Sequence, residues 1–327
     1  MVYSYPVMSE LVPPLQEIEH WPTPKERLGK RMEIGVVLPL SGTALREPSN
    51  PDPILELAQE AERIGADAIW VNDHPELDSL DCWTTLAYIA CATKRPMFGP
   101  LVSVAPTHLP LVTVRMANTL GTLSDNRLVL GLGAGTSAQQ LDNLGVPSDH
   151  RASRFEEYLK VVVPSLRQEV VNFSGKYYTA NYTAQHFRPE DARPPILVGA
   201  YNQRMMRLAA EWADWWNTDR LRSHGVQKTL PQKLGNLMIA CAQVGREPST
   251  LEITGGLTVV PEPGDPPLLP EYDQPVTGSP KTIAKTLRDY EKLGLRQVMC
   301  TVYPPTKQTY AQFGEGVKEF RAMPPLY

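Results

Sequence analysis

The chain is poor in cysteine and shows no order in what it has. Cys82, Cys91, Cys241 and Cys300 are the four among 327 residues, and none forms a C-x-x-C pair. That spacing excludes a disulfide framework or a cysteine zinc site and fits a reducing, cytoplasmic setting. The six histidines, His20, His74, His108, His150, His186 and His224, include no H-x-H and no H-E-x-x-H, so the usual metallohydrolase signatures are missing. A serine nucleophile elbow is missing as well. Charge of one sign is scarce: 36 acidic against 32 basic residues leave a net charge of −4, with no global attraction to nucleic acid or anionic membrane. No apolar run reaches membrane-spanning length. The first 31 residues mix acids with five prolines and carry no apolar stretch of signal-peptide length.

Proline, by contrast, is abundant at 32 residues, roughly double ordinary usage. Excess proline suggests disorder, but 42% hydrophobic residues, 13 Tyr and 6 Trp are ample for a large core. From Met32 onward short apolar runs alternate with amphipathic segments. Strands are expected at Glu33 to Pro39, Ala68 to Val71, Phe98 to Val104, Arg127 to Gly133, Ile196 to Gly199, Ala213 to Asn217, Leu251 to Val260 and Gln297 to Val302. Helices are expected between them, for instance from about Asp52, with Pro53 in its first turn, until Gly65 stops it, and from Ser279, a cap followed by Pro280, to Leu293. Eight strand-helix units with short connections predict an α/β fold, a (β/α)8 TIM barrel with insertions. The expected organisation is an N-terminal extension over residues 1–31, wrapping the exterior or mobile, and one barrel domain over 32–327. A doubly wound dinucleotide fold is disfavoured, because Pro39-Leu-Ser-Gly-Thr-Ala after the first strand is not G-x-G-x-x-G.

A barrel of this kind places its chemistry after the carboxyl ends of the strands. Asn72-Asp73-His74 follows the second strand, where an acid beside a histidine can orient a ligand and supply a group titrating near neutrality. The same residues serve equally as a turn cap and a surface imidazole. Gly131-Leu-Gly133-Ala134-Gly135 can present backbone amides to a phosphate or simply make a tight turn. Gly199-Ala200-Tyr201-Asn202 runs into a helix N-terminus, with Asn202 either an anion contact or only the N-cap. Ser103-Val104 ends the third strand in small residues. Trp215 and Trp216 read as core rather than pocket wall, and Tyr177, Tyr178 and Tyr182 as pins for an insertion over residues 172–187 rather than a lid.

These blocks carry a likeness. Arg127 to Gly135, Leu144-Gly-Val-Pro147, Arg154-Phe-Glu-Glu-Tyr-Leu159, Phe173 to Tyr178, Arg193-Pro-Pro-Ile-Leu-Val-Gly199 and Gly278 to Ala284, in this order, resemble the luciferase-like flavin- and deazaflavin-dependent oxidoreductases. The resemblance spans about Met32 to Arg321. It implies a homodimer acting on a small organic molecule; the cysteine pattern and charge balance above fit a cytoplasmic protein with no nucleic-acid or membrane partner. Within the family, an Asp-His pair after the second strand resembles the branch that uses the deazaflavin coenzyme F420. The resemblance then implies His74 as the catalytic proton donor or acceptor, with Asp73 near the ring. It implies a non-proline cis peptide at Ser103-Val104 behind the ring. Ala134, Gly135, Gly199, Ala200, Tyr201 and Asn202 match the segments that hold the ring edge and phosphate tail.

Two positions depart from the pattern. Thr136 stands where the sugar-phosphate dehydrogenases of that branch carry Glu, which disfavours such substrates. Tyr201-Asn202 replaces the usual Gly-Gly of the phosphate loop. The leading expectation is hydride transfer between F420 and a small organic substrate. The alternatives are an FMN-dependent monooxygenase using reduced flavin and oxygen, and a flavin-binding barrel without turnover.

Overall fold

The structure, a computed structural model, describes residues 21–23, 25, 29–40, 53–75, 79–135, 137–167, 170–183, 193–221, 230–262 and 274–326. Thr136 and most of the proline-rich stretch at 261–276 lie outside these residues. The chain runs β1 (Glu33–Leu38), α1 (Pro53–Arg63), β2 (Ala68–Val71), α2 (Cys82–Ala92), β3 (Met97–Pro100), β4 (Ser103–Val104), α3 (Pro110–Leu123) and β5 (Leu130–Gly133). It continues through α4 (Ala138–Asn143), α5 (Arg151–Leu166), the hairpin β6 (Val171–Ser174) and β7 (Thr179–Tyr182), β8 (Ile196–Gly199), α6 (Gln203–Trp212) and β9 (Trp215–Arg220). The last elements are α7 (Leu230–Gln243), β10 (Glu252–Pro261), β11 (Val276–Gly278), α8 (Pro280–Lys292), β12 (Gln297–Val302) and α9 (Lys307–Ala322).

Parallel pairing orders the strands β3-β2-β1-β12-β10-β9-β8-β5-β4. The two ends of that series meet. Phe98 bridges Leu128, with the Phe98 amide donating to Arg127 O at 3.0 Å and the Val129 amide to Phe98 O at 2.9 Å. β3 and β4 are successive parts of one stave, so the sheet closes as the expected eight-stave barrel. The split is a difference from the continuous strand expected at Phe98 to Val104. It falls at a cis peptide between Leu101 and Val102, not at Ser103-Val104, which corrects the position implied by the resemblance. The structure also adds α4 and β11, the latter paired with β10.

Local chemistry explains the elements. β2, β5 and β8 are short apolar runs buried on both faces, as parallel strands under helices require. α1 turns Ile54, Leu57, Ala58 and Ala61 inward and ends at Gly65, whose φ of 84° a side chain would resist. Asp81, Asn202 and Ser279 cap α2, α6 and α8 by accepting the amides of Thr84, Met205 and Thr282. Trp215 and Trp216 are core: Trp216 lies under the helices, and Trp215 packs edge-on to Trp70 inside the barrel at 6.4 Å. No described helix is long and apolar enough to cross a membrane.

The N-terminal end of the barrel is closed by polar pairing and by Trp21. Arg296 bridges Glu33 at 2.9 Å and Glu252 at 3.1 Å and stacks over Trp215 at 4.2 Å. Trp21, fully buried, donates its Nε1 proton to Leu251 O at 3.0 Å and its amide to Leu293 O at 3.1 Å. The end of the extension is thus part of the core, seated on the side away from the strand ends that carry the site.

Candidate active site

At the opposite mouth lies a cavity of about 870 Å³, bounded by the ends of β2, β4, β5 and β8 and by the first turns of α5 and α6. Its size is that of a cofactor pocket. Of the residues singled out from sequence, Asp73, His74, Ser103, Val104, Ala134, Gly135, Gly199, Tyr201 and Asn202 all line it. Ala200, between Gly199 and Tyr201, does not line it. It is buried in the core, where its carbonyl accepts the Trp216 Nε1 proton at 3.0 Å and its amide donates to Asn217 O.

Asp73 is the buried acid of the site, only 9% exposed. Its Oδ2 accepts the Val104 amide at 2.8 Å and the Ser103 hydroxyl at 3.3 Å. Burial raises its pKa above the ordinary carboxylate value, opposed by the Val104 amide, the nearby His108 and the Ser103 hydroxyl. His74, the next residue, is exposed and faces the same cavity.

The floor is Val102, a residue the sequence reading did not single out. Its side chain lies over the ends of β5 and β8, and a Cβ on Gly133 would sit 2.6 Å from Val102 Cγ2, with Gly199 only slightly farther at 3.4 Å. A Cβ on Gly131 would strike the Pro100 carbonyl. Two of the glycines thus permit close approach of β5 to the Pro100 to Val102 segment, while Gly135, with φ 82°, makes the turn.

The rim is basic. Arg151 opens α5 and donates to Gly135 O at 3.1 Å, and Arg204 in the first turn of α6 donates to Ser153 Oγ at 2.8 Å. His150 precedes α5 in a left-handed conformation, φ 51°, and makes no side-chain cap bond, so that end of α5 opens toward the cavity. Asn202 is an N-cap, accepting the Met205 amide at 3.0 Å, and also lines the wall. Arg151, Arg204 and His150 were missed from sequence, although helix N-termini following β5 and β8 necessarily point to this mouth. The tyrosine-rich hairpin is pinned, as expected. Glu157 accepts the amides of Lys176, Tyr177 and Tyr178, and Arg154 stacks over Tyr177 at 4.4 Å.

A closed parallel barrel with an acid, a histidine and a basic rim at its carboxyl mouth has the layout of a barrel enzyme. The family model described as luciferase-like monooxygenase matches residues 32–265, well over half of the sequence, and the chain belongs to that family. A curated relative, the 5,10-methylenetetrahydromethanopterin reductase of Archaeoglobus fulgidus, is 28% identical over 155 residues, 47% of this chain and 45% of its own. The chain spans about half the length of the curated relatives it matches. In fold it is similar to the coenzyme F420-dependent tetrahydromethanopterin reductase of Methanopyrus kandleri, with TM-score 0.71 and 18% identity over 89% of this chain and 99% of that one. It is similar also to the oxygenating constituent of 3,6-diketocamphane monooxygenase of Pseudomonas putida in complex with FMN, with TM-score 0.69 and 18% identity over 90% and 98%.

Proposed function

We propose that the protein is an F420-dependent oxidoreductase that transfers hydride between the deazaflavin and a small organic substrate. The observation that carries the reading is the Asp73-His74 pair at the end of β2, both residues facing one cavity, the acid buried and the histidine exposed. The fold likeness to an F420-dependent reductase supports it.

The residues present suit such a cofactor. Val102 over Gly133 gives a smooth apolar floor for a planar ring, and Asp73 Oδ1 is bonded to no described protein donor. Arg151, Ser153 and the open turn of α5 suit an anionic tail. When bound, F420 supplies a two-electron hydride carrier that reacts poorly with oxygen. The chain's own part is then to place and enclose the reactants and to manage the proton. His74 gives or takes that proton at an imidazole nitrogen facing the cavity, and Val102, Leu101 and Leu141 exclude water from the pocket wall.

Titration of the purified protein with F420 and with FMN tests this reading, and absence of F420 binding at micromolar concentration refutes it. The FMN-dependent monooxygenase is the second reading, favoured by the fold likeness to an FMN-bound oxygenating protein and by Tyr201-Asn202, bulkier than the expected glycines. It predicts oxygen uptake in the presence of a flavin reductase. The homodimer belongs to the same proposal, and sedimentation velocity tests it.

A further inference from the structure

Behind Asp73 lies a chain of hydrogen bonds whose direction is set by chemistry alone. Indole nitrogen can only donate, so Trp83 Nε1–H donates to Ser103 Oγ at 3.1 Å. Ser103 spends its own proton on Asp73 Oδ2 at 3.3 Å, and the Val104 amide, also an obligate donor, meets the same oxygen at 2.8 Å. All three side chains are buried, Trp83 at 6% and Ser103 at 1% exposure. An oxygen that accepts two hydrogen bonds is the poorer site for the carboxyl proton. Oδ1 has no donor among the described residues, and Asp73 lines the cavity.

We propose that Trp83 and Ser103 are positioning residues: by tying Oδ2 to protein donors they reserve Oδ1 as the acceptor for an N–H edge of the bound ring. The proposal rests on the functional reading above and deepens it. F420 and FMN rings both carry an imide N–H, so either fits. With Val104 and Ser103 both donating to Oδ2, a proton that Asp73 takes up goes to Oδ1 and turns the acceptor into a donor, so ring affinity falls on acidification.

The groups facing Asp73 are its neighbour His74, His108 from the loop after β4, Asp81 and Cys82 from the start of α2, and Tyr158 from α5. His108 does not compete for the chain. The Thr107 hydroxyl donates to Val104 O at 2.7 Å and therefore accepts from His108 Nδ1–H at 2.9 Å, which holds that nitrogen's proton away from Asp73.

Binding titrations of the full-length protein with F420 and with FMN, from about pH 5 to pH 8, provide the test. Wild type loses affinity on the acid side. Trp83→Phe keeps the buried ring but removes the donor, so ring affinity falls a few-fold at neutral pH and the acid limb moves to higher pH. Asp73→Asn turns its carbonyl to the Val104 and Ser103 donors and its NH2 to the ring edge, so affinity falls about tenfold or more and the acid limb disappears. Should Trp83→Phe fail to fold, Ser103→Ala breaks the same link, and the same shift of the limb is expected. A folded Trp83→Phe or Ser103→Ala protein with the wild-type affinity and acid limb overturns the proposal, as does an Asp73→Asn protein that binds like wild type. Wild type that binds neither ring overturns the functional reading itself, and the proposal with it.

Discussion

The amide of Val104 donates a 2.8 Å hydrogen bond to Oδ2 of Asp73. That one bond ties the end of β2 to the far half of a stave that is interrupted at Leu101–Val102. It makes the acid and the wall beside it a single unit, and it does so with a carboxylate that is buried at a cost.

The cost predicts a trade between stability and binding. Asp73 has a raised pKa, chiefly through burial, so its proton favours the folded state. Its favourable contribution is complete below the ordinary carboxylate pKa and is lost as pH rises through the raised value. Asp73→Asn, neutral and similar in shape, is expected to melt a few degrees higher at pH 7, on the order of 1 kcal/mol, while losing ring affinity. The melting difference closes as pH falls into the carboxylate range. Calorimetry over that pH range checks the sign.

Val102 and Gly133 are coupled by contact. Gly133→Ala places a methyl 2.6 Å from Val102 Cγ2 and pushes that side chain into the cavity. Loss of cofactor binding is expected, with about 1 to 3 kcal/mol of destabilisation from overpacking. Val102→Ala in the same chain restores the space. Denaturant unfolding and cofactor titration of both singles and the double show a coupling of opposite sign to the single effects.

Trp21 is predicted to matter to the barrel as a whole. Trp21→Ala empties a buried site and frees the Leu251 carbonyl, for an expected loss of about 3 to 5 kcal/mol. Trp21→Phe keeps most of the packing and costs about 1 kcal/mol for the missing hydrogen bond. Urea midpoints of the two variants separate the contributions.

Asp214 accepts both guanidinium nitrogens of Arg193, at 2.8 and 2.9 Å, and the Ile196 amide at 2.8 Å. Burial opposes ionisation, but these bonds prevail and hold its pKa below the ordinary value. Its contribution is complete above the unfolded carboxylate pKa and is lost as pH falls through the lower folded value. Asp214→Asn is therefore expected to cost about 1 to 2 kcal/mol at pH 7, and the gap to wild type narrows in acid, below about pH 4. Chemical denaturation in both conditions measures it.

Arg151→Ala tests the basic rim. If an anionic cofactor tail lies there, its affinity falls about tenfold at low salt and depends less on ionic strength than in wild type. Equal salt slopes for variant and wild type contradict that placement.

Much of the architecture was legible locally. Strand runs, the caps Asn202 and Ser279, and helix stops such as Gly65 depend on neighbours within a few residues, so alternation alone predicted an eight-unit barrel. The pair Asp73-His74 stood out for the same reason, being adjacent in sequence at a strand end. Ala200 shows the limit: it adjoins cavity residues on both sides, yet it turns into the core beneath Trp216, sixteen positions away.

Residue types and their periodicity thus determined the barrel, its punctuation by proline and glycine, and the acid-histidine pair. Closure of the barrel decided the rest. Only when Phe98 meets Leu128 does Val102 come over Gly133, do the N-termini of α5 and α6 bring Arg151 and Arg204 to one rim, and does Trp83 reach Ser103 and, through it, Asp73. Those contacts join residues far apart along the chain. Their geometry depends on how whole staves and helices pack against one another, which no local pattern of residues encodes.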